Sequence, residues 1–455
     1  MSANANTLRK SGIFTRHKIA EPTVVRPVTF RDLQDYLDPS SNYLPPFRPR
    51  GAGSSSTDCS ASTAGTVVDM TGMDQIVKID PSTETVSVQA GLRLHQLVDA
   101  LAQNGLELMG NFDLMNRTVG GAVASGCIGP SIKGAGALFA KQVISMKIIT
   151  PAGKFLDLTQ KKRNILNAFR LSYGMLGIIC MVTLKVRPIR PFTATHRRCT
   201  IEQFAASADR LSNANVGLKF YLLPFRDRVY LDLRTLSLDP RSTHSIPWRI
   251  KDWGESTVLP NVFKSLSRIV PINGVRYSLI DTISEATQGL VNNRLVSSGD
   301  NAATQSLCMN GPNDTSRLQY STWCFPASDF AIVAKAYQNF CLKNYRNTRF
   351  RCDMPAVGFL LPRDRCALLS PTFDESMFAL RAVSTPSPGW EDFVIDFAEF
   401  AQHWGGSPFF NQTRSMEPDY ARQAFGSRLD FFKKIRRQLD PANRMMNSFL
   451  SQYFL

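Results

Sequence analysis

The chain carries, early in its N-terminal half, the loop Arg50-Gly51-Ala52-Gly53-Ser54-Ser55-Ser56-Thr57. Glycines at this density let the backbone come close to a ligand and turn its N–H groups toward an anion. The serine hydroxyls add hydrogen-bond donors, so the loop suits a pyrophosphate. On its own, such a loop is also typical of an ordinary surface turn. It is not the Rossmann fingerprint, because a third glycine and a helix opening after a first strand are missing.

A second stretch of small residues follows, Thr118-Val119-Gly120-Gly121-Ala122-Val123-Ala124-Ser125-Gly126-Cys127-Ile128-Gly129. Two clusters of small residues lie within it, and they again allow a ligand to approach the backbone closely. A tight turn with small-residue packing is the alternative interpretation of this stretch alone. Taken together, the two loops form a recognisable pair.

Strand and helix patterns surround the two loops. Apolar runs and period-two alternation predict strands over residues 65–70, 75–79, 85–91, 142–150 and 177–186. Apolar residues at helical spacing predict a helix over 92–102 that Gly105 ends. A basic amphipathic helix is predicted over 428–439.

The length of the chain and the positions of its prolines indicate more than one domain. The chain has 455 residues, which exceeds the usual size of a single hydrophobic core. Pro188 and Pro191 mark a boundary. The region from about 190 to 404 mixes strand and helix patterns without a glycine-rich loop, so we expect it to form a separate domain that faces the substrate.

The charge balance favours anionic partners. There are 53 Lys and Arg against 37 Asp and Glu, a net charge of +16. Such a surplus suits a phosphorylated substrate, a nucleotide cofactor, an anionic membrane face or nucleic acid. The cations are dispersed and no nucleic-acid module is present, so we do not expect a nucleic-acid partner.

The cysteines and the N-terminus indicate the cytoplasm. Nine Cys without regular spacing argue against a disulfide framework, and no metal-ligand pattern appears, so we expect reduced thiols and no metal. The first 25 residues contain several cations and no apolar core of a signal peptide. Peripheral contact with a membrane stays open.

Three motifs in order give the chain a family resemblance. They are the Arg50–Ser55 loop, Thr118-Val119-Gly120-Gly121, and Gly174-Met175-Leu176-Gly177-Ile178-Ile179. In this order they resemble the vanillyl-alcohol-oxidase type (PCMH type) of FAD-binding proteins. Within that superfamily the chain looks most like the decaprenylphosphoryl-ribose oxidases, and next like the aldonolactone and alditol oxidases. The resemblance is best in the N-terminal half and poor in the middle.

The resemblance implies an α+β fold. It comprises a two-subdomain FAD-binding domain of the PCMH type over 20–190 and a substrate domain over 191–404, built from an antiparallel sheet with helices. Residues 405–455 would return to the FAD domain. The implied cofactor contacts are Arg50, Gly51, Ala52, Gly53, Ser54, Ser55 and Ser56 at the pyrophosphate; Thr118, Gly120, Gly121, Ser125 and Gly126 along the flavin; Ile178 or Ile179 at the adenine; and also Ile128 and Phe409.

Three positions depart from the family pattern. Many members bond a His at the position of Ser54 covalently to the flavin, so Ser54 predicts noncovalent FAD. Cys127 is better explained as a small buried thiol than as a thioether link. The chain also has Ile128 where a His is usual, and Gln412 where the sugar-phosphate oxidases have a Lys. An amide can bind a hydroxyl but cannot act as a base or a cation.

The candidate catalytic residues are Gln412, Lys133 and His403. Lys133 follows the second loop and could face the substrate, or it could be a solvated loop lysine. His403 precedes Trp404 and Gly405, and a surface or capping role is the alternative.

The leading functional hypothesis is an FAD-dependent oxidoreductase that oxidises a secondary alcohol of a sugar or polyol by hydride transfer to flavin N5. The substrate could be phosphate- or lipid-linked, with a short-chain reductase completing an epimerase pair. Alternatives are an aldonolactone- or alditol-type oxidase acting on a soluble sugar, and a flavin-binding protein with a decayed redox site.

The absence of a His at position 54 predicts the fate of the flavin on denaturation. Acid precipitation of the purified protein should release FAD into the supernatant, because no covalent link would hold it. Flavin absorbance retained on the washed pellet would contradict noncovalent binding.

Overall fold

A computed structural model describes the following residues: 21–110, 112, 115–132, 136–190, 192–236, 250, 254, 258–290, 294–297 and 318–455. Within them, helices and sheets occur in both halves of the chain, as expected for the α+β class. None of the described helices combines the length and apolar character needed to span a bilayer.

The N-terminal half contains two main sheets. The smaller one is parallel, in the order β1-β3-β2, with bounds β1 Thr23–Val25, β2 Phe47–Arg50 and β3 Thr66–Asp69. The larger one is antiparallel, in the order β4-β5-β9-β7-β8; its bounds are β4 Ile76–Asp80, β5 Thr85–Gln89, β7 Val143–Ile149, β8 Phe155–Thr159 and β9 Ile178–Lys185. A short ladder joins β6 Leu106–Glu107 to β10 Arg187–Pro188.

In the part of this half that the structure describes, four helices flank these sheets. They are α1 Phe30–Leu37, α2 Leu94–Gln103, α3 Val119–Ala124 and α4 Arg163–Phe169. Thr29 and Asp32 start α1 with a reciprocal capping box, which satisfies two backbone N–H groups that the helix leaves without partners.

The local patterns in the sequence are confirmed in this half. Val86 and Val88 of β5 are buried, whereas the alternating Ser87 lies on the other face and bonds Thr183 at 2.9 Å. The predicted helix over 92–102 is α2, and Gly105 beyond it has a φ of 67°, which favours glycine.

The second half is built on one antiparallel sheet of eight strands, in the order β14-β11-β13-β12-β16-β17-β15-β18. The bounds are β11 Phe192–Cys199, β12 Gly217–Leu223, β13 Arg228–Leu236, β14 Arg294–Ser297, β15 Gln319–Pro326, β16 Ala356–Leu361, β17 Met377–Ser384 and β18 Ser407–Pro408. Its helices are α5 Ile201–Asn213, α6 Leu259–Ile269, α7 Asn273–Gly289, α8 Phe330–Thr348 and α9 Trp390–His403. The antiparallel sheet with helices that the resemblance implied is therefore present.

The two faces of this sheet have different neighbours. Phe220 and Phe378 belong to the core shared with α5 and α8, where Phe330 stacks on Phe378 at 4.2 Å. Residues on the opposite face, such as Tyr221 and Phe359, pack instead with α6, α7 and Ile128 of the second glycine loop. That opposite face therefore meets the N-terminal half.

The C-terminal segment connects the two halves. Its first strand, β18, pairs with β15 in the large sheet. Three helices follow: α10 Tyr420–Phe425, α11 Ser427–Leu439 and α12 Ser448–Phe454. The ring of Phe410 lies 5.3 Å from that of Tyr173, so the segment also packs on the N-terminal half. The domain boundaries at 190 and 404 stay a prediction.

Arg48 of β2 forms hydrogen bonds with parts of the chain that are distant in sequence. Its guanidinium is buried and donates to the carbonyls of Cys59, Tyr173, Gly174 and Met445. Burial lowers the pKa of Arg48 to about 10, which still leaves it protonated at neutral pH. A single cation therefore satisfies carbonyls from three segments that are far apart in sequence.

We expect Arg48→Met to lower the free energy of unfolding by at least about 3 kcal/mol, because several buried carbonyls lose their donor. Urea denaturation, monitored by circular dichroism, measures the change. The exposed Arg437 of α11 provides the matched control: Arg437→Met should stay within about 0.5 kcal/mol of wild type. Equal stabilities for the two variants would contradict the role of Arg48.

Candidate functional site

The two glycine loops face each other across a cleft. Its empty volume is about 730 Å³, a figure that includes the open mouth. Eleven residues expected at the cofactor line it: Arg50, Gly51, Ala52, Gly53, Ser54, Ser55, Thr118, Gly120, Gly121, Ser125 and Ile179. The structure therefore brings both loops and the end of the third motif to one site.

Close packing of the loops depends on glycine. A Cβ at Gly51 would lie 2.1 Å from Thr118 Oγ1, and a Cβ at Gly120 would lie 2.7 Å from the Cβ of Ala90. Thr118 Oγ1 also accepts a bond from the Gly121 N–H at 3.2 Å, which fixes the start of α3. The loops can be this close only because these positions lack side chains.

Five expected cofactor residues do not line this cleft: Ser56, Gly126, Ile128, Ile178 and Phe409. Ser56 lines a neighbouring cavity with Tyr320 and Arg414. Gly126 and Phe409 are in contact, since a Cβ on Gly126 would meet the Phe409 ring at 2.3 Å. Ile128, near the end of the second loop, packs against the large sheet.

Ile178 and Ile179 differ in where the structure places them. Ile178 is buried in the core and pairs with Ile149 of β7, whereas its neighbour Ile179 lines the cleft. Only the second of the two isoleucines reaches the site.

The cleft also contains residues that the sequence reasoning did not single out. Arg117 is buried and donates to the Gly126 carbonyl, and Tyr173 and Cys59 line the wall. Burial raises the pKa of the Cys59 thiol, so this thiol is a poor nucleophile at neutral pH. Gly174 and Gly177 belong to the third motif, so that motif could have identified them as lining residues. For Arg117, the only indication in the sequence is its position directly before Thr118.

The lining fits FAD. Glycine backbone, the hydroxyls of Ser54 and Ser55, and the cation of Arg50 suit a pyrophosphate. Apolar surface from Met70, Ala90, Ala124 and Ile179 suits ring systems. Cys127 is buried in the core beside Phe139 and does not line the cleft.

The segment 409–413 joins both loops to the large sheet. The Ser56 N–H donates to the Asn411 carbonyl at 3.0 Å, and the Gly126 N–H donates to Asn411 Oδ1 at 3.2 Å. The Thr322 N–H of β15 donates to the Gln412 carbonyl at 3.1 Å. Residues near 410 are thus placed where the FAD cleft meets the sheet.

Gln412 lies at the centre of a buried polar network. Its Nε2 donates to the Gly126 carbonyl at 2.6 Å. Its Oε1 accepts from the Thr322 hydroxyl at 2.9 Å and from Arg381 Nη2 at 3.2 Å. Arg381 Nε in turn donates to Thr322 Oγ1 at 3.1 Å. Gln412 and Arg381 are both almost wholly shielded from solvent.

Arg381 was missed by sequence reasoning. It lies on β17, and its guanidinium is 5.4 Å from the centre of the Tyr320 ring. Tyr320 donates its hydroxyl proton to the Ser54 carbonyl, which links the network to the first glycine loop. No local sequence signal marks an Arg in an apolar strand as part of this network.

Of the other two catalytic candidates, only His403 belongs to the described residues, and it lies away from this network. His403 is exposed at the end of α9, where its ring meets Trp404 edge-on at 5.4 Å. Lys133 lies outside the described residues.

Two protein-family models match this chain, and one of them is an FAD-binding domain, which agrees with the lining of the cleft. An FAD-binding domain model matches residues 22–159, and the D-arabinono-1,4-lactone oxidase model matches residues 182–453. The second match covers more than half of the chain. The chain belongs to the D-arabinono-1,4-lactone oxidase family. The cofactor is FAD, as the resemblance implied, and the lining of the cleft suits it.

Curated relatives of this family member are lactone enzymes. L-gulono-1,4-lactone dehydrogenase of Mycobacterium tuberculosis is 28% identical over 209 residues, which cover 46% of this chain and 48% of that protein. The mitochondrial L-galactono-1,4-lactone dehydrogenase of Arabidopsis thaliana is 28% identical over 219 residues, 47% of this chain and 35% of that protein. The matched part is thus half or less of these relatives. L-gulonolactone oxidase of Scyliorhinus torazame is 23% identical over 94% of both chains.

Solved structures share the fold at low identity. Cholesterol oxidase of Brevibacterium sterolicum has a TM-score of 0.70 at 14% identity, covering 95% of this chain and 94% of its own. Xylooligosaccharide oxidase of Myceliophthora thermophila has a TM-score of 0.67 at 12% identity, covering 94% and 91%. The superfamily inferred from the three motifs is confirmed. Within it, the matches favour the aldonolactone group, which ranked second by resemblance.

We expect Gly51→Ala to weaken FAD binding at least about tenfold, because the new Cβ displaces Thr118 and separates the loops. Titration of the FAD-free protein, followed by quenching of flavin fluorescence, gives the dissociation constant. Gly274→Ala on α7 is the matched control, since its Cβ would meet nothing within 4 Å. Unchanged affinity in the Gly51 variant would show that the loops do not hold the cofactor.

Proposed function

We propose that the chain is an FAD-dependent oxidoreductase that oxidises a secondary hydroxyl of an aldonolactone. The observation that carries the proposal is a buried cation, Arg381, held by Thr322 and Gln412 next to the second glycine loop. When bound, FAD supplies the acceptor for the hydride of the alcohol carbon. The lactone class is supported by the names of the relatives, which act on gulono-, galactono- and arabinono-lactones.

Arg381 would bind the oxygen of the reacting hydroxyl. A guanidinium stays protonated at physiological pH. Its charge would therefore favour the negative charge that develops on the oxygen as the hydroxyl proton passes to water, and the effect is larger in a buried site than in water.

Thr322 and Gln412 would position the guanidinium. Both accept a hydrogen bond from it, and Gln412 is itself held by the Gly126 carbonyl. Gln412 cannot take up a proton at neutral pH, so its role is positioning rather than acid–base chemistry. Where the sugar-phosphate oxidases have a Lys at this position, Arg381 of β17 would supply the positive charge here.

Two further candidates have specific support. A phosphate- or lipid-linked sugar, with a short-chain reductase as partner, is favoured by the net charge of +16. A flavin-binding protein with a decayed redox site is favoured by Ile128 and Gln412, which stand where the resembled proteins have a His and a Lys.

Anaerobic bleaching of the flavin absorbance separates these candidates. L-gulono-, L-galactono- and D-arabinono-1,4-lactone are compared with polyols and sugar phosphates. Bleaching by a lactone supports the proposal, whereas bleaching by phosphorylated sugars alone favours the second candidate. A bound flavin that dithionite reduces but no compound on the panel reduces would favour the decayed site.

For the lactone that bleaches the flavin best, we expect Arg381→Met to slow flavin reduction at least about a hundredfold, because a charge that stabilises the developing alkoxide is removed. Anaerobic stopped-flow absorbance measures this rate, and the flavin spectrum checks that FAD is still bound. Arg346→Met, at an exposed position on α8, is the control. Equal rates in the two variants would remove Arg381 from the reaction.

A further inference from the structure

Helices α6 and α7 form a hairpin whose tip exposes apolar side chains. Ile269 at the end of α6 is 74% exposed, and Ile272 in the turn is 65% exposed. Val275 and Leu279, which are four residues apart on α7, are 51% and 42% exposed. Residues four apart lie on the same face of a helix. Elsewhere in the described part of the chain, exposed large apolar side chains are more widely scattered.

The tip is positively charged. Lys264 and Arg268 are exposed on α6, and Arg276 lies on α7 between the apolar positions. No Asp or Glu occurs from 259 to 280. All the charged residues in this stretch are therefore cations. Exposed apolar residues together with cations suit an anionic, partly apolar surface.

The base of the hairpin is fixed to the substrate domain. The Tyr277 ring meets Tyr345 edge-on at 5.7 Å, and the inner residues Phe263 and Ile280 pack against the large sheet. The first carboxylates of α7, Asp281 and Glu285, lie toward this base and are within 4 Å of Arg226. The hairpin is thus held at its base, and among the residues that the structure describes, the carboxylates of α7 lie at this base rather than at the tip.

We propose that this tip binds the surface of an anionic lipid bilayer. Interfacial segments combine apolar side chains, which enter the boundary between headgroups and acyl chains, with Lys and Arg, which contact anionic headgroups. Both components are present within residues 264–279. The proposal concerns attachment of the protein and does not depend on which compound it oxidises.

Flotation of the FAD-loaded full chain with lipid vesicles tests the proposal. The probes are phosphatidylcholine vesicles with and without phosphatidylglycerol, at low and high salt. We expect binding only to the vesicles that contain phosphatidylglycerol, and weaker binding at high salt because salt screens the attraction. Failure to bind those vesicles at low salt would overturn the proposal.

Two variants separate the apolar and the charged contributions. Replacing the four exposed apolar residues of the tip by Gln (Ile269→Gln, Ile272→Gln, Val275→Gln, Leu279→Gln) should reduce the partition coefficient at least tenfold. Lys264→Gln with Arg268→Gln should also reduce it at least tenfold, since each cation near an anionic surface contributes roughly fivefold.

Matched controls exclude a general loss of apolar surface or of charge. Val77→Gln with Ile332→Gln changes exposed apolar residues elsewhere, and Lys161→Gln with Lys162→Gln changes exposed cations elsewhere. Both should bind vesicles as wild type does. Retained flavin absorbance in every variant checks folding.

Two further results would overturn the proposal. One is equal vesicle binding by the apolar-tip variant and its control. The other is a dimer of the wild-type protein, detected by light scattering without lipid, that the apolar-tip variant converts to a monomer; the tip would then bind a second copy of the chain.

Discussion

The desolvated guanidinium of Arg48 is the constraint on which the cofactor half depends. A cation removed from water must have its donors satisfied, and here backbone carbonyls accept from it. Those carbonyls belong to the turn after the first glycine loop, to the start of the third motif and to the C-terminal segment. Satisfying one buried charge therefore brings together three segments that local sequence does not connect, and two of them line the FAD cleft.

The close approach of the two glycine loops depends on positions that have no side chain. Gly51 against Thr118 and Gly120 against Ala90 leave no room for a Cβ, so the backbone itself forms the cleft wall. Ser54 stands where many relatives of the superfamily attach the flavin, and the buried Cys59 thiol is kept protonated by its surroundings. These two features are the basis for predicting that FAD is bound here through shape and hydrogen bonds rather than through a covalent link at the first loop.

At the junction of the cleft and the large sheet, the buried amide of Gln412 contacts the buried guanidinium of Arg381. An amide at position 412 cannot supply the positive charge of a lysine, but it can orient a guanidinium. Arg381, Thr322 and Gln412 form a closed set of hydrogen bonds, and the Gly126 carbonyl fixes the amide. A cation thus reaches the cofactor side of the sheet from β17 rather than from the C-terminal segment.

The sequence by itself determined the cofactor loops, the superfamily and most local elements. Each of these depends on residues that are neighbours in sequence: the spacing of the glycines, the alternation in β5 and the apolar face of α2. It also pointed to Gln412. Only the tertiary structure decided that Arg381, Tyr320 and Arg117 join the site and that His403 stays on the surface. Gly126 and Gln412 are 286 positions apart, and their contact depends on the register of an eight-stranded sheet. Strand order and register arise from burial across the whole chain, which no local pattern encodes.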